Sequence, residues 1–308
     1  MTEAPLVSVV LTTNRASPYL QTALESLVAQ TYTEWELILV DDGSPEPDAV
    51  DAACSSVPGA RVIHQANAGI SVARNVGIAG SRGTYVAFLD DDDEWSPERL
   101  ALQVAALQAR PDAVAAYGQI DFIDEHGDNV GTAELAPGDL GAFLRNDMSA
   151  PIVSLMVVRR ALDRVGGFHS MFAMSEDIDL IYRLARAGPF VFVPEVLVHY
   201  RRHGANMSAN MRQSALWSRR ALWLQQWWSA RAGETELLED VRIGLRSSRR
   251  YWAERMVHEA VEEFRHGHLS AAGELAYFVA RHDPVAGLRT LGSLAYGRLS
   301  SDGNDPEG

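Results

Sequence analysis

The sequence predicts an α/β fold: a mostly parallel sheet flanked by helices over residues 1–205, then a C-terminal helical appendage over 206–299. Three observations carry this. Short β-branched runs alternate with amphipathic stretches across short joints, the pattern of parallel strands linked by right-handed crossovers. From about Met207 tryptophan, arginine and alanine dominate and the β-branched runs stop. The chain has 308 residues, 47% hydrophobic and 22% charged, enough for one large or two modest cores.

Each element follows from local pattern. "LVSVVLTT" (6–13) is a β-branched run. Residues 17–30 place Leu20, Ala23, Leu24, Leu27 and Val28 on one helical face, and Ser17 before Pro18 opens a helix well. "WELILVDDGS" (35–44) is a second strand ending in acids and a turn, and "ARVIHQ" (60–65) a third. "GISVARNVGIAG" (69–80) reads as a helix between glycines, "GTYVAFLDDDD" (83–93) as a fourth strand, and 96–109 as another helix. Later strands are expected at 113–118, 152–158, 190–193 and 196–201. Long helices follow to about Leu299, and the tail 300–308 is expected to be disordered. The tryptophans of the helical region are expected to pack its helices, with an acceptor platform or dimer face as the alternative. The arginine-bearing amphipathic stretch 283–299 is read as a packing helix, with membrane contact as its alternative.

Composition excludes some classes. The net charge is -14, a poor match to a nucleic-acid binder. Cys54 is the single cysteine, so no intramolecular disulfide forms, and it reads as a small core residue. The N-terminus has no signal-like pattern and no apolar run approaches the ~20 residues of a membrane span. The expected location is cytoplasmic, with a peripheral position on the inner face of the membrane as its variant.

The acids fall on one edge. Ligands of open α/β sheets gather at the carboxyl ends of strands. Strand one ends in Thr12, Thr13, Asn14 and Arg15, strand two in Asp41 and Asp42, and strand four in Asp90 to Asp93. A solvated turn beside a helix N-terminus would explain one acidic run. Three polar ends in register favour a shared site, where Mg2+ or Mn2+ would relieve the repulsion and take substrate phosphate oxygens. No Gly-x-Gly-x-x-Gly follows strand one and no Gly-x-x-x-x-Gly-Lys occurs, so no glycine loop holds the phosphates.

The pieces "VSVVLTTNR", "SLVAQTYTEWELILVDDGS", "NAGISVARNVGIAGSRGTYVAFLDDDDEWSPERL", "GGFHSMFAMSEDIDLIYRLARAG" and "VLVHYRRHGANMS" together resemble the family-2 inverting glycosyltransferases of the GT-A fold. They run in family order across about 6–208. The resemblance implies a Rossmann-like nucleotide-sugar domain and metal-dependent transfer of a sugar, with inversion, from a nucleoside diphosphate sugar to an acceptor hydroxyl. UDP-sugars lead as donors, and a glycan, lipid-linked compound or natural product would accept. Thr12, Asn14, Arg15 and Asp42 are implied at the nucleotide, and Arg74 facing nucleotide or diphosphate. The Asp-x-Asp motif falls in "LDDDD", whose register is open. Asp92 is implied as metal ligand, Asp90 or Asp91 at ribose or a metal-bound water, and Asp93 in a structural role.

In-line displacement needs a carboxylate to take the acceptor proton and a Lewis acid for the leaving diphosphate. The resemblance places the base in "SEDIDL": Asp177, with Glu176 orienting acceptor or neighbours. The bland alternative is an N-capped first turn, with Ser175 as cap and the acids serving the helix dipole. His203 would reach the metal or diphosphate. His199 reads as structural, and at most one of Arg201 and Arg202 should face the phosphates. Two other readings stay open: a sugar-nucleotide nucleotidyltransferase, whose Arg-containing glycine loop is missing, and a non-catalytic nucleotide-sugar-binding protein. Under the leading reading the partners are the donor and acceptor, with a homodimer as a further alternative.

Overall fold

The computed structural model describes residues 6–204, 206 and 210–301, with 293–301 by backbone alone. The chain forms two compact units that meet in sequence between Asn206 and Met207. Residues 302–308 of the expected disordered tail lie outside the described residues, and the last helix runs on to Ser301.

The first unit begins with β1 (Val7–Thr13), α1 (Leu20–Val28), β2 (Trp35–Asp42), α2 (Pro47–Cys54), β3 (Arg61–Gln65), α3 (Ile70–Gly80) and β4 (Tyr85–Asp90). β5 (Glu94–Trp95), α4 (Arg99–Ala109), β6 (Ala115–Ile123), β7 (Asn129–Thr132) and α5 (Leu140–Arg145) follow. A 3-10 turn at Ile152–Ser154 leads to β8 (Met156–Val158), α6 (Arg159–Val165), α7 (Glu176–Ala187) and β9 (Phe190–Arg201).

One sheet runs β3-β2-β1-β4-β8-β6-β9-β5, with β7 on β6. All pairings among β1 to β4 are parallel, and antiparallel pairings enter at β8. β1 and β2 are buried along almost their whole length, as central parallel strands covered on both faces must be. Their apolar runs therefore lack polar alternation.

Several boundaries shift for physical reasons. Residues 190–201 form one strand, because β9 carries Pro194 and Glu195 as a bulge opposite the Gly118–Gln119 step. Proline cannot donate to the ladder, so the pairing skips it. Gly118 is required there: a Cβ would sit 2.5 Å from the Val193 carbonyl oxygen. The stretch 152–158 is strand only from Met156, and 113–118 is strand only from Ala115, running on to Ile123. The Ser17 hydroxyl accepts the Tyr19 N–H at 3.2 Å, and α1 starts only at Leu20. Helices α2, α5 and α6 and strands β5 and β7 are too short to show a periodicity. Cys54 is buried, which pushes its thiol up to about 11 and leaves it inert.

The second unit holds α8 (Met211–Ala232), α9 (Thr235–Arg265), α10 (Leu269–His282) and α11 (Pro284–Ser301). Ala215, Ala253, Met256, Val257 and Val279 form its core, with Trp252 and Phe278 packed against them. The Trp252 indole N–H donates to the Ser218 hydroxyl at 3.1 Å. Trp223, Trp227 and Trp228 do not follow the packing expectation: they are 49%, 57% and 46% exposed. No helix among the described residues is long and apolar enough to cross a membrane.

Candidate active site

The parallel register brings three strand ends level. Thr12 lies beside Val40 of β2 and Asp90 of β4, and Thr13 beside Asp41. Both threonines are buried, and the Thr13 hydroxyl donates to the Asp91 carboxylate. Asn14 and Arg15 lie just past the strand and are exposed.

The two acids ending β2 do different work. Asp42 accepts from Gln65 at 2.7 Å and from the Ala68 and Gly69 N–H groups at 2.8 and 2.9 Å, fixing the loop into α3. A carboxylate has about four acceptor positions, so one remains for a ligand N–H. Asp41 accepts the Ser44 N–H at 2.7 Å and pairs with His64 Nδ1 at 2.8 Å; His64 Nε2 reaches Asp51 at 3.0 Å. Nothing in the sequence pattern pointed to that chain, because it needs the β2–β3 register opposing Asp41 and His64.

The aspartate run turns away from its strand after Asp90. Burial, with Asp92 and Asp90 adding to it, pushes Asp91 up to about 7. Asp92 is raised by burial and by Asp90, while His203 pulls it back. Its Oδ2 meets His203 Nε2 at 3.0 Å and Asn206 Nδ2 at 3.2 Å. The His203 ring stacks on Tyr19, centroids 5.3 Å apart. Asp93 is fully buried and accepts the Arg201 N–H at 2.9 Å, but its Oδ2 has no partner. Burial and the neighbouring aspartates raise it well above the usual range.

Arg201 and Arg99 are the buried arginines beside this turn. Arg201 is buried and donates to the carbonyls of Asp92 and Asp124 and to Glu94, so it braces the turn. Arg202 lies over the Phe122 ring, 3.6 Å from its centroid. Arg99 is fully buried over Trp95, which lowers its guanidinium to about 9 through burial. His199 pairs across to Glu94 in the sheet and its ring meets Ser96 at 3.5 Å.

Helix α7 brings the second acidic pair. Arg74, on α3, donates to Glu176 at 2.7 Å and to Asp90 at 2.9 Å. Burial alone would lower this arginine; Asp90 and Glu176 more than offset it, so it stays firmly charged. Glu176 is pushed up to about 7 by burial, with Arg74 opposing and Asp177 adding. Asp177 is raised by burial, again opposed by Arg74. Its Oδ1 accepts the Ile178 N–H at 2.8 Å.

Ser175 holds the N-cap position but makes no side-chain cap, contrary to the sequence expectation. Its φ of 58° is left-handed, a costly state for a non-glycine residue. That turn directs Glu176 back toward Arg74. Behind the pair, Asp179 is anchored by His169 at 2.9 Å and Arg183 at 2.7 Å. An i, i+4 Asp–Arg spacing was the only sequence signal for it.

Among the described residues, no three His, Cys, Asp or Glu side chains form a metal cage by themselves. Comparison with known proteins places the chain in a family. Residues 8–172 match Glycosyl transferase family 2, more than half of the chain.

The chain belongs to that family. An uncharacterized glycosyltransferase of Nostoc is 31% identical over 212 residues, 65% of this chain and 66% of that protein. One from Rickettsia felis is 27% identical over 230 residues, 70% of this chain but 38% of the relative. The chain thus spans under two thirds of their lengths. Among solved structures, S. aureus TarS 1–349 with UDP-GlcNAc superposes with a TM-score of 0.58 at 16% identity, covering 70% of this chain and 65% of TarS. The Pyrobaculum calidifontis mannosyltransferase PcManGT, with GDP-Man and Mn2+, gives 0.62 at 17% identity, covering 97% of this chain and 81% of that one. These likenesses establish the GT-A fold of the family-2 chain. The family match ends before α7, so the roles of Glu176, Asp177 and His203 rest on geometry.

Proposed function

We propose that this family-2 chain transfers a sugar, with inversion, from a nucleoside diphosphate sugar to an acceptor hydroxyl. The observation that carries the reading is the Arg74 bridge, which ties the strand-end Asp90 to the α7 acid Glu176. Donor-side and acceptor-side chemistry thereby share one site.

Thr12, Asn14, Arg15 and the remaining acceptor position of Asp42 line the nucleotide. UDP-sugars are the first donors to test. Asp177 as carboxylate takes the proton of the acceptor hydroxyl. The acceptor oxygen then bonds to the anomeric carbon as the bond to the diphosphate oxygen breaks, and the electron pair leaves with the diphosphate. Glu176, held by Arg74, orients the acceptor or neighbouring groups.

The residues suit a divalent cation. Asp92 Oδ2 and His203 Nε2 already face each other at 3.0 Å, and burial and Asp90 raise the Asp92 carboxyl, a cost that a bound cation would relieve. A carboxylate plus an imidazole, completed by phosphate oxygens and waters, fits Mn2+ or Mg2+. Held by Asp92 and His203, the ion would neutralise charge developing on the leaving diphosphate.

Calorimetric titration with UDP, GDP, ADP and dTDP, each with and without Mn2+, tests this. Metal-dependent binding of one nucleotide, lost in Asp92→Ala, is expected. Binding of none, or Asp92→Ala titrating like the parent, would remove the assignment.

A further inference from the structure

Helix α8 buries small and polar residues and leaves three tryptophans open. Its buried positions carry Ser214, Ser218, Arg219, Gln225 and Ser229, with Ala215, Ala221 and Leu222 among them. Its open side carries Trp223, Trp227 and Trp228, each about half exposed. Burying tryptophan and exposing serine is the ordinary arrangement, so the reversal calls for a partner on the open side.

Arginine accompanies the tryptophans. Arg220, Trp223, Trp227 and Arg231 are spaced three, four and four residues apart, which puts them on one helical face. The Arg220 guanidinium lies 4.2 Å from the Trp217 ring centroid and that of Arg231 lies 5.4 Å from Trp227. Residues 211–232 include no Asp or Glu, although the whole chain carries -14.

We propose that this face of α8 seats in the interfacial layer of an anionic lipid bilayer. Indole rings favour the headgroup level, with apolar faces in and N–H toward water. Arginines beside them keep guanidinium groups among lipid phosphates while their stems lie on apolar surface. A second copy of this chain fits less well. An isologous contact would set the same arginines against each other with no acid on the helix to pair them. The face belongs to α8 and is independent of the transfer chemistry.

Co-sedimentation of the full chain with phosphatidylglycerol and with phosphatidylcholine vesicles tests the proposal, together with quenching of tryptophan emission by brominated lipid. Retention on phosphatidylglycerol that weakens with salt, and quenching, are expected. The Trp223→Ala/Trp227→Ala/Trp228→Ala variant should lose about tenfold or more in partitioning, as removal of interfacial apolar area requires. Arg220→Gln/Arg231→Gln alters only exposed side chains and provides an independent reading: its retention on phosphatidylglycerol should also fall. No retention on either vesicle, or retention equal to the parent in both variants, would overturn the proposal. So would a vesicle-independent dimer that the tryptophan variant turns monomeric.

Discussion

Replacing Arg74 with methionine should cost stability in a way that depends on pH. The guanidinium is 5% exposed and holds Glu176, 9% exposed, and Asp90, 26% exposed. Removing one partner of a buried ion pair costs about 3–5 kcal/mol when the remaining charge has no escape. Here Glu176 does have one, because its carboxyl already sits at about 7 with Arg74 in place. Without Arg74 it rises further. Well below pH 7 it is protonated in both proteins, so the penalty reduces to the Asp90 pair and lost packing, about 1–2 kcal/mol. Above pH 7 the parent releases that proton and the variant keeps it. The variant's native state then binds more protons, so its stability falls relative to the parent by up to about 1.4 kcal/mol per pH unit. Urea unfolding at about pH 6 and about pH 8.5 should give penalties differing by about 2 kcal/mol. In a Glu176→Gln background the difference should shrink to what the coupling of Asp177 to Arg74 leaves. A penalty that is flat with pH, or under about 0.5 kcal/mol at both, would refute the bridge as the link between the two acidic elements.

Three further outcomes follow from the same geometry. Mn2+ with the cognate nucleotide should raise the melting temperature, by about 2.7 kcal/mol of stability at a hundredfold excess over Kd, and should leave His203→Ala much less stabilised; thermal scans check this. Turnover should climb with pH through the range in which Asp177 ionises, since burial raises that carboxyl and only its ionised form accepts a proton; a pH–rate profile falling across that range would oppose the base assignment. Gly77→Ala should cost about 1–3 kcal/mol, because a Cβ on α3 would lie 2.4 Å from Val10 Cγ1 of β1, and Val10→Ala should recover part of it in denaturation experiments.

Much of the α/β unit was legible because its strands are continuous apolar runs between polar ends, and parallel pairing places those ends together. The strand-end acids, the α3 helix and the acids opening α7 could thus be read in one dimension. The bridge through Arg74 could not. It joins residues 16 and 102 positions apart, and an arginine on an amphipathic helix carries no mark of its partners. Ser175 looked like a cap because serine usually is one, but its φ of 58° is left-handed and its side chain caps nothing. In α8 the apolar pattern misled, since tryptophans at helical spacing normally face inward and here serines do.

In the proposed mechanism donor binding and proton removal are separate tasks at one site, the first at the strand ends and the second on α7. Asp177→Asn tests it most directly, with nucleotide titration in Mn2+ and sugar transfer measured on the same preparation. Unchanged nucleotide affinity is expected, with transfer reduced by about three orders of magnitude or more. Transfer within about tenfold of the parent, or nucleotide binding lost together with transfer, would contradict it.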